Sequence, residues 1–131
     1  MRAITEIVVH CSATKPHWLA GQDIQAKVAE IRRWHVQDNG WSDIGYNFVI
    51  DRDGQVMRGR KAELAGAHVG TAVNARSIGV CLIGGYGSNE NDSFEKHYTQ
   101  EQDEALRKLI RVIQHKYPAA KKVAGHNDYA A

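Results

Sequence analysis

The sequence predicts a single α/β domain spanning residues 1–131, a central mixed β-sheet flanked by α-helices. Three observations carry this. Short apolar runs, which read as buried strands, are spread from one end of the chain to the other. Two longer segments repeat their apolar residues at helical spacing. No internal repeat or linker divides the chain, and its 131 residues amount to one domain's worth.

The elements follow in order. Residues 4–10, centred on Ile7, Val8 and Val9, read as the first strand. Residues 11–21 read as a loop punctuated by Pro16 and Gly21. Over 22–38, Ile24, Val28, Ile31 and His35 recur at spacings of four, three and four, which predicts a helix. Asn39 and Gly40 stop it, with Gly40 suited to a left-handed cap. Residues 46–51 and 55–60 flank Asp53–Gly54, a hairpin signal. Residues 77–85 are the most apolar run and read as a central strand. Residues 86–98, polar and rich in glycine and asparagine, read as a mobile loop. Thr99 opens a second helix with Gln102 completing a capping box. Leu106, Leu109, Ile110 and Ile113 mark its buried face, Pro118 ends it, and residues 122–126 read as the last strand.

Composition narrows the function. The hydrophobic share of 43% and charged share of 24% are ordinary for a globular domain. The net charge of +2, with no basic stripe interleaved with aromatics, argues against nucleic acid as a partner. No stretch approaches the ~20 apolar residues of a membrane span. No secretory signal opens the chain, so a cytoplasmic start is expected, with access to any outside target only after the membrane is permeabilised. Cys11 and Cys81 form no C-x-x-C pair and read as buried free thiols, with a disulfide as the alternative. The seven histidines are the oddity, because imidazole is the commonest metal-binding side chain.

Two of them close apolar runs at opposite ends of the chain: His10 and His126. Strand carboxyl ends are where open α/β sheets build their sites. If the two strands lie side by side, both imidazoles reach one metal ion. Tyr46 follows directly on Gly45, at the start of a strand. His68 follows Gly66 and Ala67 in a loop, where it either lines a cleft or holds the loop. His35 falls on the apolar stripe of its helix and reads as structural. His17 and Trp18 read as solvated loop residues, with a sugar-stacking role for the indole as the alternative. His97 and His115 read as surface residues.

Several stretches now form a pattern: Val8 to Thr14, Ile31 to His35, Gly40 to Ile50, Asp53–Gly54 with Gly59–Arg60, His68, Ser77 to Leu82, and Gly125 to Asp128. In this order the chain resembles the zinc-dependent N-acetylmuramoyl-L-alanine amidases, whose fold is shared by small phage lysozymes and peptidoglycan recognition proteins. The resemblance runs from about residue 4 to residue 129. It implies a mixed sheet flanked by helices and one zinc ion (Zn2+) in a surface cleft. The reaction implied is hydrolysis of the amide joining N-acetylmuramic acid to the L-alanine of the stem peptide. His10 and His126 match the family's zinc histidines, Tyr46 its active-site tyrosine, and His68 a histidine near its cleft. Bacterial peptidoglycan is the expected partner and a phage or prophage endolysin the expected role, acting as a monomer. A phage RNA polymerase is a second candidate partner, through the same resemblance. Arg76 is a candidate contact for a stem-peptide carboxylate.

The chain departs from the family at its end. The pattern continues through a proline to a lysine and then a cysteine or aspartate, the third zinc ligand. Ala131 stands where the proline is usual. The expectation is that further residues follow; a shortened form, or a variant that binds peptidoglycan without cutting it, are the alternatives. Asp128, two residues past His126, is the one alternative ligand nearby.

Overall fold

The computed structural model describes residues 3–87 and 92–125. It contains five strands: β1 (Glu6–Cys11), β2 (Phe48–Ile50), β3 (Val56–Arg58), β4 (Ser77–Leu82) and β5 (Lys122–Gly125). Four α-helices accompany them: α1 (Ile24–Arg33), α2 (Thr71–Arg76), α3 (Phe94–His97) and α4 (Gln100–Lys116). The strands form one sheet in the order β3-β2-β4-β1-β5. β1 runs parallel to both β4 and β5, β2 runs parallel to β4, and only the β2–β3 hairpin is antiparallel. The expected mixed sheet is thus present, with 77–82 at its centre. No helix among the described residues is long and apolar enough to cross a membrane.

Strand alternation sorts the core into two layers. Ile7, Ile50, Ile78, Val80 and Leu82 face α4, where Leu109 and Ile113 meet them. Val49, Cys81 and Ile83 face the other way, onto Ile24, Val28, Ile31 and Ile44. Every residue of β4 is buried, as an inner parallel strand covered on both faces must be. Each isoleucine or leucine so buried contributes about 1.5–3 kcal/mol. A buried ion pair, Lys27 Nζ to Asp51 Oδ1 at 2.8 Å, ties α1 to the end of β2.

The hairpin forms around Asp51–Gly54. Gly54 N–H donates to the Asp51 carbonyl, and the Asp53 carboxylate accepts from Gln55 N–H. Gly54 has φ +90°, which a side chain would resist. At α4 the capping box is complete: Thr99 Oγ1 accepts from Gln102 N–H, and Gln102 Oε1 accepts from Thr99 N–H. The same glutamine is fully buried and donates through Nε2 to the carbonyls of Ile50 and Ile83. One side chain therefore closes the helix start and pins it to the sheet.

Three expectations are corrected. The helix over 22–38 is α-helical only to Arg33; Trp34–Asp38 form a wider π turn, closed by Asn39 N–H on the Trp34 carbonyl before Gly40 at φ +72°. The span 86–98 is not all loop. Phe94 and Tyr98 pack against the α4-side core and anchor α3 between them. Helix α2 was not anticipated, because its six residues carry no apolar period. The last strand is described to Gly125; His126 lies outside the described residues.

Replacing Gln102 with alanine takes the side-chain donor from the Ile83 carbonyl and one of two donors from the Ile50 carbonyl, and takes the acceptor from the Thr99 amide. A loss of about 2–3 kcal/mol in urea unfolding is expected; a change below about 0.5 kcal/mol would show that the bridge carries no stability.

Candidate active site

The carboxyl ends of the parallel strands open onto a cavity of about 720 Å³. His10 and Cys11 from β1, Tyr46, His68, and Val123 to Gly125 of β5 line it. The β1–β5 pairing runs from Glu6 opposite Lys122 to Val9 opposite Gly125. The two histidine-bearing strands thus lie side by side, as the sequence suggested, up to the residue preceding each histidine. Three of the four expected site residues, His10, Tyr46 and His68, meet in this cavity.

His10 is buried, with its Nε2 2.7 Å from His68 Nδ1 and the two rings meeting edge to face at 4.8 Å. His68 Nε2 lies 3.3 Å from the hydroxyl of Ser77, which is fully buried. His68 owes its position to two devices. Asn74 Oδ1 accepts the backbone N–H groups of His68 and Val69, so the start of α2 holds the loop. Gly79 in β4 leaves space for the ring: a Cβ there would come within 2.8 Å of His68 Cγ and Cδ2.

Tyr46 lies 5.4 Å from the His10 ring and 5.4 Å from the His35 ring. Burial first, then the Cys81 and Cys11 thiols and a hydrogen bond to Cys81, push its phenol well above the ordinary range. It therefore stays protonated at neutral pH and acts as a donor. The Cys81 thiol is likewise pushed up, chiefly by burial. Both cysteines are free, as expected.

The turn that carries Tyr46 is held by buried polar contacts. Asn47 donates its backbone N–H to the Gly79 carbonyl and accepts Gly79 N–H on Oδ1. Its Nδ2 donates to the carbonyls of Arg60 and Lys61. Arg60 in turn donates to the carbonyls of Ile44, Ala65 and Asp43. Neither residue was singled out from sequence, although both lie within matched stretches. His35 has the structural role expected of it: its Nδ1 accepts Gly45 N–H at 2.8 Å and its ring packs on Trp41.

Other expectations shift. His97 is not a surface residue. It lines the cavity, its side chain is 12% exposed, and it pairs with Asp92. Arg76 sits at the opposite end of β4 from the cavity and is paired with Glu6, so it is not placed to meet a substrate there. Trp18 packs against Trp34 and the α1-side core, which leaves His17 as the exposed member of that pair. Among the described residues, no three His, Cys, Asp or Glu side chains are grouped to hold a metal ion.

A mixed sheet with a histidine-lined cleft at its parallel strand ends defines the general class: an α/β protein with its site at the carboxyl edge. The chain matches, over residues 1–131, the sequence model described as N-acetylmuramoyl-L-alanine amidase, and it belongs to that family. It is similar to the endolysin of Enterobacteria phage T3, 42% identical over 130 residues that cover 98% of this chain and 79% of that protein. Among solved structures it is similar to the endolysin N-acetylmuramoyl-L-alanine amidase LysCS from Clostridium intestinale URNW. That match has a TM-score of 0.75 at 29% identity and covers 98% of this chain and 72% of the other. It is also similar to a complex of tracheal cytotoxin with the ectodomains of peptidoglycan recognition proteins LCa and LCx. There the TM-score is 0.74 at 26% identity, covering 100% of this chain and 75% of that one.

Burial, and secondarily the Arg60 guanidinium, hold His35 below its ordinary 6.5. The folded protein then takes up this proton less readily than the unfolded chain. The stability contributed by neutral His35 is full above that pH and is lost as the pH falls below it. The stability difference between wild type and His35→Gln should shrink between about pH 7 and pH 5. A difference that stays constant in urea titrations would remove His35 from the acid response.

Proposed function

We propose that this chain hydrolyses the amide between N-acetylmuramic acid and L-alanine in bacterial peptidoglycan, with a zinc ion in the cleft, as a phage or prophage endolysin. The family and the endolysin relatives support the reaction. The observation that carries the metal reading is the β1–β5 register: Val9 lies opposite Gly125, and the next residue in each strand's sequence is a histidine.

The donor chemistry at His10 fits a zinc ion. A metal-bound imidazole gives its second nitrogen to a hydrogen-bond acceptor, which fixes its tautomer. In the tautomers that such a metal site selects, His10 Nε2–H donates to His68 Nδ1 and His68 Nε2–H donates to the Ser77 hydroxyl. We assign His10 Nδ1 to the metal and His68, besides lining the cleft, to the role of the brace that aims the ring. His126 is assigned as the second ligand. Zinc, when bound, polarises a carbonyl and lowers the pKa of a bound water to roughly 7.

Tyr46 is assigned to the transition state. Its phenol remains protonated, and its ring lies beside His10. A neutral O–H in a water-poor pocket can donate to the oxygen on which charge develops. The cleft is large enough for a peptide and part of a sugar, since such sites run from about 300 to 1,000 Å³.

Release of L-alanine amino termini from purified cell walls tests the reaction. Chelation should abolish it and added zinc restore it; full activity in excess chelator would overturn the zinc reading. Tyr46→Phe should lower turnover about 10²–10³-fold with bound zinc unchanged. His68→Ala should weaken zinc affinity about 10- to 100-fold in a competitive chelator titration.

A further inference from the structure

We propose that His97, held by Asp92, is a substrate-binding residue of this cleft: its Nδ1 accepts a hydrogen bond from a donor on the muropeptide. The proposal rests on the amidase reading and extends it to a residue outside the short motifs that carry the resemblance.

His97 and Asp92 line the same cavity as His10, Tyr46 and His68. His97 Nε2 lies 2.7 Å from Asp92 Oδ2. An ionised carboxylate only accepts, so Nε2 carries the proton. In the neutral ring Nδ1 is then an acceptor, and it has no hydrogen-bond partner among the described residues. The His97 side chain lines the cavity and is 12% exposed, so a donor that enters with the substrate can reach the ring and take the place of water there.

The ring is also well supported. The His97 carbonyl accepts from Arg52 Nη1 at 3.0 Å. Tyr98 N–H closes α3 on the Phe94 carbonyl, and Thr99 Oγ1 donates to the Arg52 carbonyl at 2.5 Å. His97 therefore sits where α3 is clamped between the hairpin loop and the start of α4. Support of this kind lets a single acceptor discriminate by position. Lys96 Nζ lies 3.2 Å from Asp92 Oδ1, so the carboxylate is fixed from a second side. Asp92 is the positioning residue, and His97 makes the contact.

The donor is either a stem-peptide N–H or a sugar O–H, and competition separates them. Steady-state hydrolysis of a muramoyl-tripeptide is followed with the full chain, with free stem peptide and peptide-free glycan as competing inhibitors. His97→Ala should raise KM about tenfold while kcat stays within about twofold. His97→Asn, whose amide oxygen replaces the Nδ1 acceptor, should recover most of the loss. Asp92→Ala should raise KM with kcat again little changed. The inhibitor whose binding His97→Ala weakens is the one that carries the donor. An unchanged KM, a loss confined to kcat, or undiminished binding of both inhibitors would each overturn the proposal. If His97→Ala melts well below wild type, the Asn variant carries the test, and failure to restore KM in that folded variant counts against the contact. Wild-type protein that releases no L-alanine termini would instead strike the underlying amidase reading; calorimetric binding of the two fragments to wild type and His97→Asn then decides the role of His97.

Discussion

Strand β1 is hydrogen-bonded along both sides to parallel partners, and the cleft depends on that arrangement. A parallel neighbour on each side means that the carboxyl ends of three strands point the same way. It also means that β1 cannot slip by one residue without turning His10 from the cavity into the opposite layer. The inner strands resist such a slip through their apolar burial: Ile7 and Val8 in β1, and all of β4, are withdrawn from water. The backbone position of His10 is therefore set by the core, and the His68 contact orients its ring.

Around that anchor the protein spends polar groups on order. Asn47, Arg60, Asn74, His35 and Gln102 each satisfy buried or half-buried backbone groups in loops that lack ladder partners. Satisfied buried groups rigidify; unsatisfied ones would be costly. His68 and Tyr46 thus sit on loops with the fixity of regular elements. Gly79 adds a steric condition, since the hole it leaves in β4 is filled by the His68 ring.

The sheet was legible from sequence because buried strands announce themselves as short apolar runs, and the hairpin because Asp53–Gly54 leaves few other options. The α4 start was legible in Thr99 and Gln102, although nothing local showed that Gln102 would also reach Ile50 and Ile83. What stayed hidden was tertiary. His97 looks like a polar loop residue until Phe94 and Tyr98 bury their rings and swing it into the cavity. Arg76 looks available until the pairing of β1 with β4 sets Glu6 beside Ser77, where the carboxylate captures the guanidinium. The π turn at Trp34 arises from a hydrogen-bond choice that periodicity does not encode.

The strand order has a temporal meaning. Glu6 and Lys122 are neighbours in the sheet yet stand near opposite ends of the sequence. Closing so long a loop is entropically expensive and is rewarded only once the intervening strands and helices are in place. A ribosome releases β5 after the other four strands. A nascent chain can build β1 through β4 and most of the core while the wall formed by β5 is still missing, so the cleft closes only once β5 has emerged.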